Sequence, residues 1–351
     1  MRLPRNSVLA FLLATAVLGC DRGATGPDAR AVNAGHAAPS AREVEDGLDA
    51  VARLLEANRA REAEIVARKL LDRSGGPDSA PPRVQVAIAK ALLSRSQTQD
   101  ERLTRDERRA LATESASLAT RAAERADASV ETLRLAALAA GVAGDQAGAL
   151  RHYLRALERE PDDAKTLFLA AMVALAIDDL ARAGELTARH AQLAPDDAWS
   201  AGLEARLALA SGDAARAIER ATVAMSRDRA GIEFKLILAS ALVAGGRGPD
   251  AARMLAALPE EERARGAVAQ ALAEALLASD DAPGAAAAWE PALRASPSDT
   301  AIRGQAIRAH LRAGNRARAE AELRILESLD GGAEERARLE QSLRESPSSK
   351  R

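Results

Sequence analysis

Apolar residues recur with helical period through most of the chain. From Val130 they fall at Leu133, Ala136, Ala137 and Ala140, the i, i+3, i+4, i+7 stripe of a helix with one buried face. Gly144 and Asp145 interrupt the stripe; glycine suits the turn that closes one helix, and aspartate suits the cap that opens the next. A second stripe follows at Ala149, Tyr153, Ala156 and Leu157, and Pro161 ends it. The stretch is therefore expected to fold as two antiparallel helices joined by a tight turn.

The same pattern returns. At an offset of 34 residues, Ala137 falls on Ala171, Asp145 on Asp179, Ala149 on Ala183, Ala156 on His190 and Pro161 on Pro195. A fixed period of this size marks supersecondary units that stack on their neighbours. The frame extends to Ala198 (with Arg229 in place of the proline), to Gly266 and to Thr300, and upstream to Val44–Ser74. Two units depart from it. One is expected to have a helix over Pro82–Arg95, a polar insertion at Ser96–Thr104 and a long helix through Arg125. The other, from Ile232, turns at Gly245–Pro249 and has its second helix cut short before Pro259. Gly332–Glu345 reads as a closing helix over the exposed end of the last unit.

Composition agrees with an all-α chain. Of 351 residues, 47% are apolar but only 2% aromatic, and alanine, the best helix former, lets helices approach closely. The period of 34 with small residues at Ala137, Ala149 and Ala156, a large one at Tyr153 and proline at Pro161 resembles the tetratricopeptide repeat family; Leu133 stands where the family commonly has tryptophan. The resemblance implies a right-handed superhelical solenoid of antiparallel helix pairs, about eight units long, from 41 to 331.

The N-terminus reads separately. Arg2 and Arg5 precede an apolar run, Val8–Leu18, too short to span a bilayer and fitting a secretory signal peptide. Val17-Leu18-Gly19-Cys20 resembles the bacterial lipoprotein signal, which implies removal of residues 1–19 and acylation of Cys20, the sole cysteine. Several acyl chains on one residue give stable anchoring. Asp21–Ser40, rich in Gly, Ala and Pro, is expected to be a flexible tether, and 346–351 a disordered tail. These readings put the protein in the bacterial cell envelope, lipid-anchored and facing the periplasm.

Charge excludes one class of partner. The formal net charge is −2; without Arg2 and Arg5, 47 basic residues oppose 51 acidic ones, or −4. That is no footprint for nucleic acid. Chemistry is absent too. His36, His152, His190 and His310 lack metal-ligand spacing, and no phosphate loop, G-x-S-x-G or H-E-x-x-H motif occurs. His152 is expected to face away from the buried stripe. The pairs Asp162-Asp163, Asp178-Asp179 and Asp196-Asp197 recur with the repeat, which points to helix capping and not to acid–base work. Neither enzyme activity, metal nor cofactor is expected.

The resemblance also selects residues for a concave face, which in this family is lined by first helices. Glu131, Arg134, Leu138, Lys165, Phe168, Met172, Leu175, Trp199, Arg206, Leu209, Glu233, Leu236, Ser240, Gln270, Glu274, Arg308 and Leu311 fall at the inward positions. Phe168, Met172, Leu175 and Trp199 would form an apolar patch, and Arg134, Lys165 and Arg206 a polar rim for a carboxylate. The basic residues do not reproduce the family's two-carboxylate clamp. The expected function is a membrane-anchored scaffold that binds a peptide or protein partner in this groove. Resemblance to tetratricopeptide lipoproteins implies work in envelope assembly, secretion or polysaccharide export. The alternatives are that these side chains only pack on neighbouring helices, and that the protein is a self-associating spacer.

Overall fold

The structure is a computed structural model and describes residues 39–98, 100, 102–329 and 333–345. The expected signal peptide, Cys20, most of the tether and the C-terminal tail lie outside the described residues. Every regular element among the described residues is an α-helix, and the chain divides into two compact units, the first running to Leu193 and the second from Ala194.

In the first unit the helices pair as α1 (Ala41–Glu56) with α2 (Ala60–Arg73), α3 (Pro82–Gln97) with α4 (Arg105–Ala123), α5 (Val130–Ala143) with α6 (Gln146–Arg159), and α7 (Ala164–Ala176) with α8 (Leu180–Leu193). In the second, α9 (Ala198–Ala210) pairs with α10 (Ala214–Arg227) and α11 (Ile232–Ala244) with α12 (Gly248–Ala256). After the one-turn α13 (Glu260–Arg263), α14 (Gly266–Leu277) pairs with α15 (Ala282–Ala295) and α16 (Thr300–Arg312) with α17 (Arg316–Glu327), and α18 (Ala333–Glu345) closes the end. Within each unit a helix packs on the next, and first helices of successive pairs also meet: α1 on α3, α3 on α5, α9 on α11 and α11 on α14.

The period of 34 holds in three dimensions. First helices begin at 130, 164, 198, 232, 266 and 300, and second helices at 146, 180, 214, 248, 282 and 316. Between them Gly144, Asp178, Gly212, Gly246, Asp280 and Gly314 all have positive φ, from 59° to 95°. This left-handed residue reverses the chain at each turn. One residue later, Asp145, Asp179, Asp213 and Asp281 accept from the amides of Gly148, Arg182, Arg216 and Gly284 at 2.8–3.1 Å, capping the second helix. On the second helices Ala149, Ala183, Ala217, Ala251, Ala285 and Ala319 are fully buried; a side chain beyond Cβ there would need its neighbours to move. Tyr153 and Trp289 fill the large positions of their pairs, also fully buried.

Several expectations need correction. The Ser96–Thr104 insertion is shorter and better anchored than its polarity suggested. Ser96 and Gln97 are helical, and the buried Ser96 donates to the Leu93 carbonyl at 2.7 Å. The buried Arg95 lies 2.8 Å from Asp100 Oδ2, and Arg108 Nη2 donates to the Asp100 carbonyl at 2.7 Å. His152 is buried, not outward: its Nε2 lies 3.3 Å from Thr120 Oγ1 of α4. Ser40, assigned to the tether, is the N-cap of α1, in a capping box with Glu43. Asp163 caps α7 through the Thr166 amide at 2.7 Å, but the Asp197 side chain makes no such bond to α9. On α18, Leu339 is buried against Ile307, Leu323 and Leu326, with Leu343 beside it.

Candidate partner-binding faces

The inward positions of the first helices divide between the two units, and each unit presents its own set. In the first, Arg134 projects from α5 toward the start of α7. Its Nε donates to Thr166 Oγ1 at 2.8 Å and its Nη2 to Glu160 Oε2 at 2.8 Å, with Asp163 Oδ2 at 2.9 Å. The guanidinium is thus already held by two carboxylates of its own chain and ties one repeat to the next. Met172 is buried, so it adds to the packing of α7 and not to an open surface. Phe168 and Leu175 are half-buried and Lys165 is exposed. The Phe168 ring meets the buried His190 of α8, centroids 5.9 Å apart and planes at 54°. Sequence reasoning passed over this contact. The signal was available: His190 stands where Ala156, Ala224 and Ala292 stand in other repeats, so its ring has to leave the tight helix–helix seam.

In the second unit the half-buried Trp199 meets Phe234 of α11 edge to face, centroids 4.9 Å apart and planes at 62°. Such a pair adds about 0.5–1.5 kcal/mol beyond area burial. Phe234 is fully buried, and room for it comes from Gly202, where a Cβ would lie 3.2 Å from Phe234 Cε1. Trp199 is therefore held by a rigid neighbour while part of its indole stays accessible. Arg206, two turns along α9 on the same side, is half-buried and makes no hydrogen bond or ion pair among the described residues. Burial pushes its guanidinium down to about 10, against the opposing pull of the negative Glu233 on α11. Further along, Gln270 Nε2 donates to Glu274 Oε1 at 3.0 Å on α14, and burial raises the Glu274 carboxyl above the ordinary range.

On these faces Phe168 and Trp199 are partly accessible, and Arg206 makes no ion pair among the described residues. Among the described residues no group of three His, Cys, Asp or Glu could hold a metal, and no helix is long and apolar enough to cross a membrane.

A stack of helix pairs with left-handed turns in register defines a helical-repeat protein. A family model described as tetratricopeptide repeat matches residues 208–275. Among solved structures the chain is similar to a tetratricopeptide repeat protein from Parabacteroides merdae, at 14% identity over 73% of this chain and 98% of that one, with a TM-score of 0.54. It is also similar to yeast Tom70, at 13% identity over 97% of this chain and 69% of that one, with a TM-score of 0.61. No curated protein sequence matches it. The repeat geometry and these likenesses give the chain a tetratricopeptide-repeat fold, and the family model itself matches only its 208–275 stretch.

Proposed function

We propose that the protein is a non-catalytic scaffold that holds a peptide segment or a partner protein against the faces of its first helices. The observation that carries this reading is Trp199. In a chain with 2% aromatic residues, a tryptophan packed against Phe234 yet partly accessible is well suited to anchor a partner, because a rigid aromatic buries much area at small entropic cost. Phe168 and Leu175 offer a second, smaller apolar surface in the first unit. The residues of the N-terminus support anchoring: Val17-Leu18-Gly19-Cys20 fits a lipoprotein signal, which would place the repeats in the bacterial envelope, facing the periplasm. There the scaffold would serve assembly of envelope components, secretion or polysaccharide export.

The test is affinity capture from solubilised membranes with the natural protein and with Phe168→Ala/Trp199→Ala, at matched thermal stability. Specific proteins that co-purify with the first and vanish with the second are expected. The same partners with both would move binding away from these faces, and recovery of the protein alone would favour a self-associating spacer. Anchoring is tested apart, by incorporation of labelled palmitate: label lost with Cys20→Ala is expected, and equal labelling would contradict it.

A further inference from the structure

We propose that Arg206 selects a carboxylate on the partner, placed next to an apolar group that contacts Trp199. The proposal rests on the reading of the first-helix faces as binding surfaces and makes one of them specific. Four basic residues occupy inward positions on these faces; Arg308 is already engaged within the chain, and the other three are Arg134, Lys165 and Arg206. Arg134 is engaged by Glu160, Asp163 and Thr166. Lys165 is exposed, where an ammonium keeps its hydration and gains little from a partner.

Arg206 differs from both. It is drawn partly out of water, yet among the described residues it makes no hydrogen bond or ion pair. Other arginines of the second unit meet carboxylates: Arg220 meets Glu204, Arg303 meets Glu322, and Arg318 meets Glu290. A half-buried guanidinium that holds no acceptor of its own chain can take one from a partner without breaking an existing pair. A carboxylate restores the missing acceptors through two parallel hydrogen bonds, whereas a neutral amide supplies one oxygen and no charge. Glu233 of α11 is close enough to favour the charged form of Arg206 without pairing with it. Its negative charge repels an acidic group that strays from Arg206.

Position supplies the second half of the proposal. Trp199 and Arg206 are seven residues apart on α9, two turns on one face and roughly 10 Å along the axis. An extended peptide covers that distance in about three residues. One short segment can therefore contact the indole with an apolar side chain and reach the guanidinium with a carboxylate, from a Glu or Asp side chain or from its own C-terminus.

The experiment is selection of displayed random 12-residue peptides on the full chain, wild type against Arg206→Met and Arg206→Lys, with thermal melts of all three. Methionine keeps the apolar stem and removes the charge, so the free variant is expected to melt at the same temperature or higher. Wild type and Arg206→Lys are expected to enrich Asp or Glu together with an apolar residue, and Arg206→Met to keep the apolar residue and lose the acid. Selected sequences are then made with Glu→Gln changes and with free or amidated C-termini. About tenfold weaker binding to wild type on one of these changes is expected, and it names side chain or terminus as the source. Equal acidic enrichment by wild type and Arg206→Met, or indifference to both chemical changes, overturns the proposal and leaves the scaffold reading standing. Enrichment of no peptide by wild type overturns both.

Discussion

Asp178 and Gly212 occupy the same turn of successive repeats, and both have positive φ, 63° and 80° respectively. The geometry of the repeat demands a left-handed residue there; only the glycine adopts it without strain. A Cβ built on Gly212 meets nothing within 4 Å, so the cost of replacing it is conformational and not steric. Asp280→Gly is expected to raise stability by about 0.5 kcal/mol, relief of strain outweighing the added freedom of the unfolded chain. Gly212→Ala is expected to lower it by about 1 kcal/mol. Urea denaturation of the two variants checks both signs; a loss on Asp280→Gly would show that the aspartate does more than turn the chain.

Two buried histidines make stability depend on pH. Burial lowers the His152 and His310 pKa values below 6.5, although Glu290, 3.8 Å from His310 Nε2, pulls the other way. In the unfolded chain these rings titrate near 6.5. Above about pH 7 both states are neutral; on acidification the unfolded state takes the protons first, so stability falls as pH drops through the interval down to the folded values. Glu274, with its raised carboxyl, acts in the opposite sense at lower pH. Urea midpoints at pH 7.5 and 5.5 are expected to differ in the natural protein and to converge in His152→Gln/His310→Gln. An unchanged difference would contradict the assignment.

Tyr153 carries a hydroxyl that is buried without a hydrogen-bond partner among the described residues. Burial also raises its pKa. Removing an unsatisfied polar atom relieves its desolvation cost, so Tyr153→Phe is expected to leave stability unchanged or raise it by about 1 kcal/mol. Tyr153→Ala, which opens a cavity at the large position of the repeat, is expected to lose about 3–5 kcal/mol. A loss above about 1 kcal/mol in the phenylalanine variant would point to a partner for the hydroxyl.

Arg134 tests the division between structural and recognition cations. Because its guanidinium bridges Thr166, Glu160 and Asp163, Arg134→Met is expected to destabilise by about 1–3 kcal/mol, the cost of leaving charged groups unpaired. Arg206→Met is expected not to. Thermal melts of the two variants side by side decide this, and the reverse order would exchange their roles.

The repeat was legible because its landmarks are local. A left-handed turn residue, a capping aspartate and a buried alanine sit at fixed spacing, and each is set by backbone geometry common to every pair. The groove residues were legible only as positions. Whether Met172 is buried, or whether Arg134 is already held by Glu160 and Asp163, depends on which side chains meet across repeats. The frame says nothing of that, because it treats all residues at one position alike. His152 was misplaced for the same reason: the buried stripe of α6 accounts for its contact with α5, while Thr120 of α4 covers a second side. The pinned insertion after α3 was missed because Arg95 and Arg108 look like surface residues until Asp100 folds back onto them.

The most direct test of the binding reading is site-specific photo-crosslinking in intact cells. A benzoylphenylalanine is placed at Phe168 or Trp199 on the first-helix faces, and at Ile65, an exposed position of the second helix α2, as control. Adducts with one or a few distinct proteins from 168 and 199, and none from 65, are expected. Adducts from 65 with none from 168 or 199 would place recognition on the second helices and contradict the role proposed for Trp199.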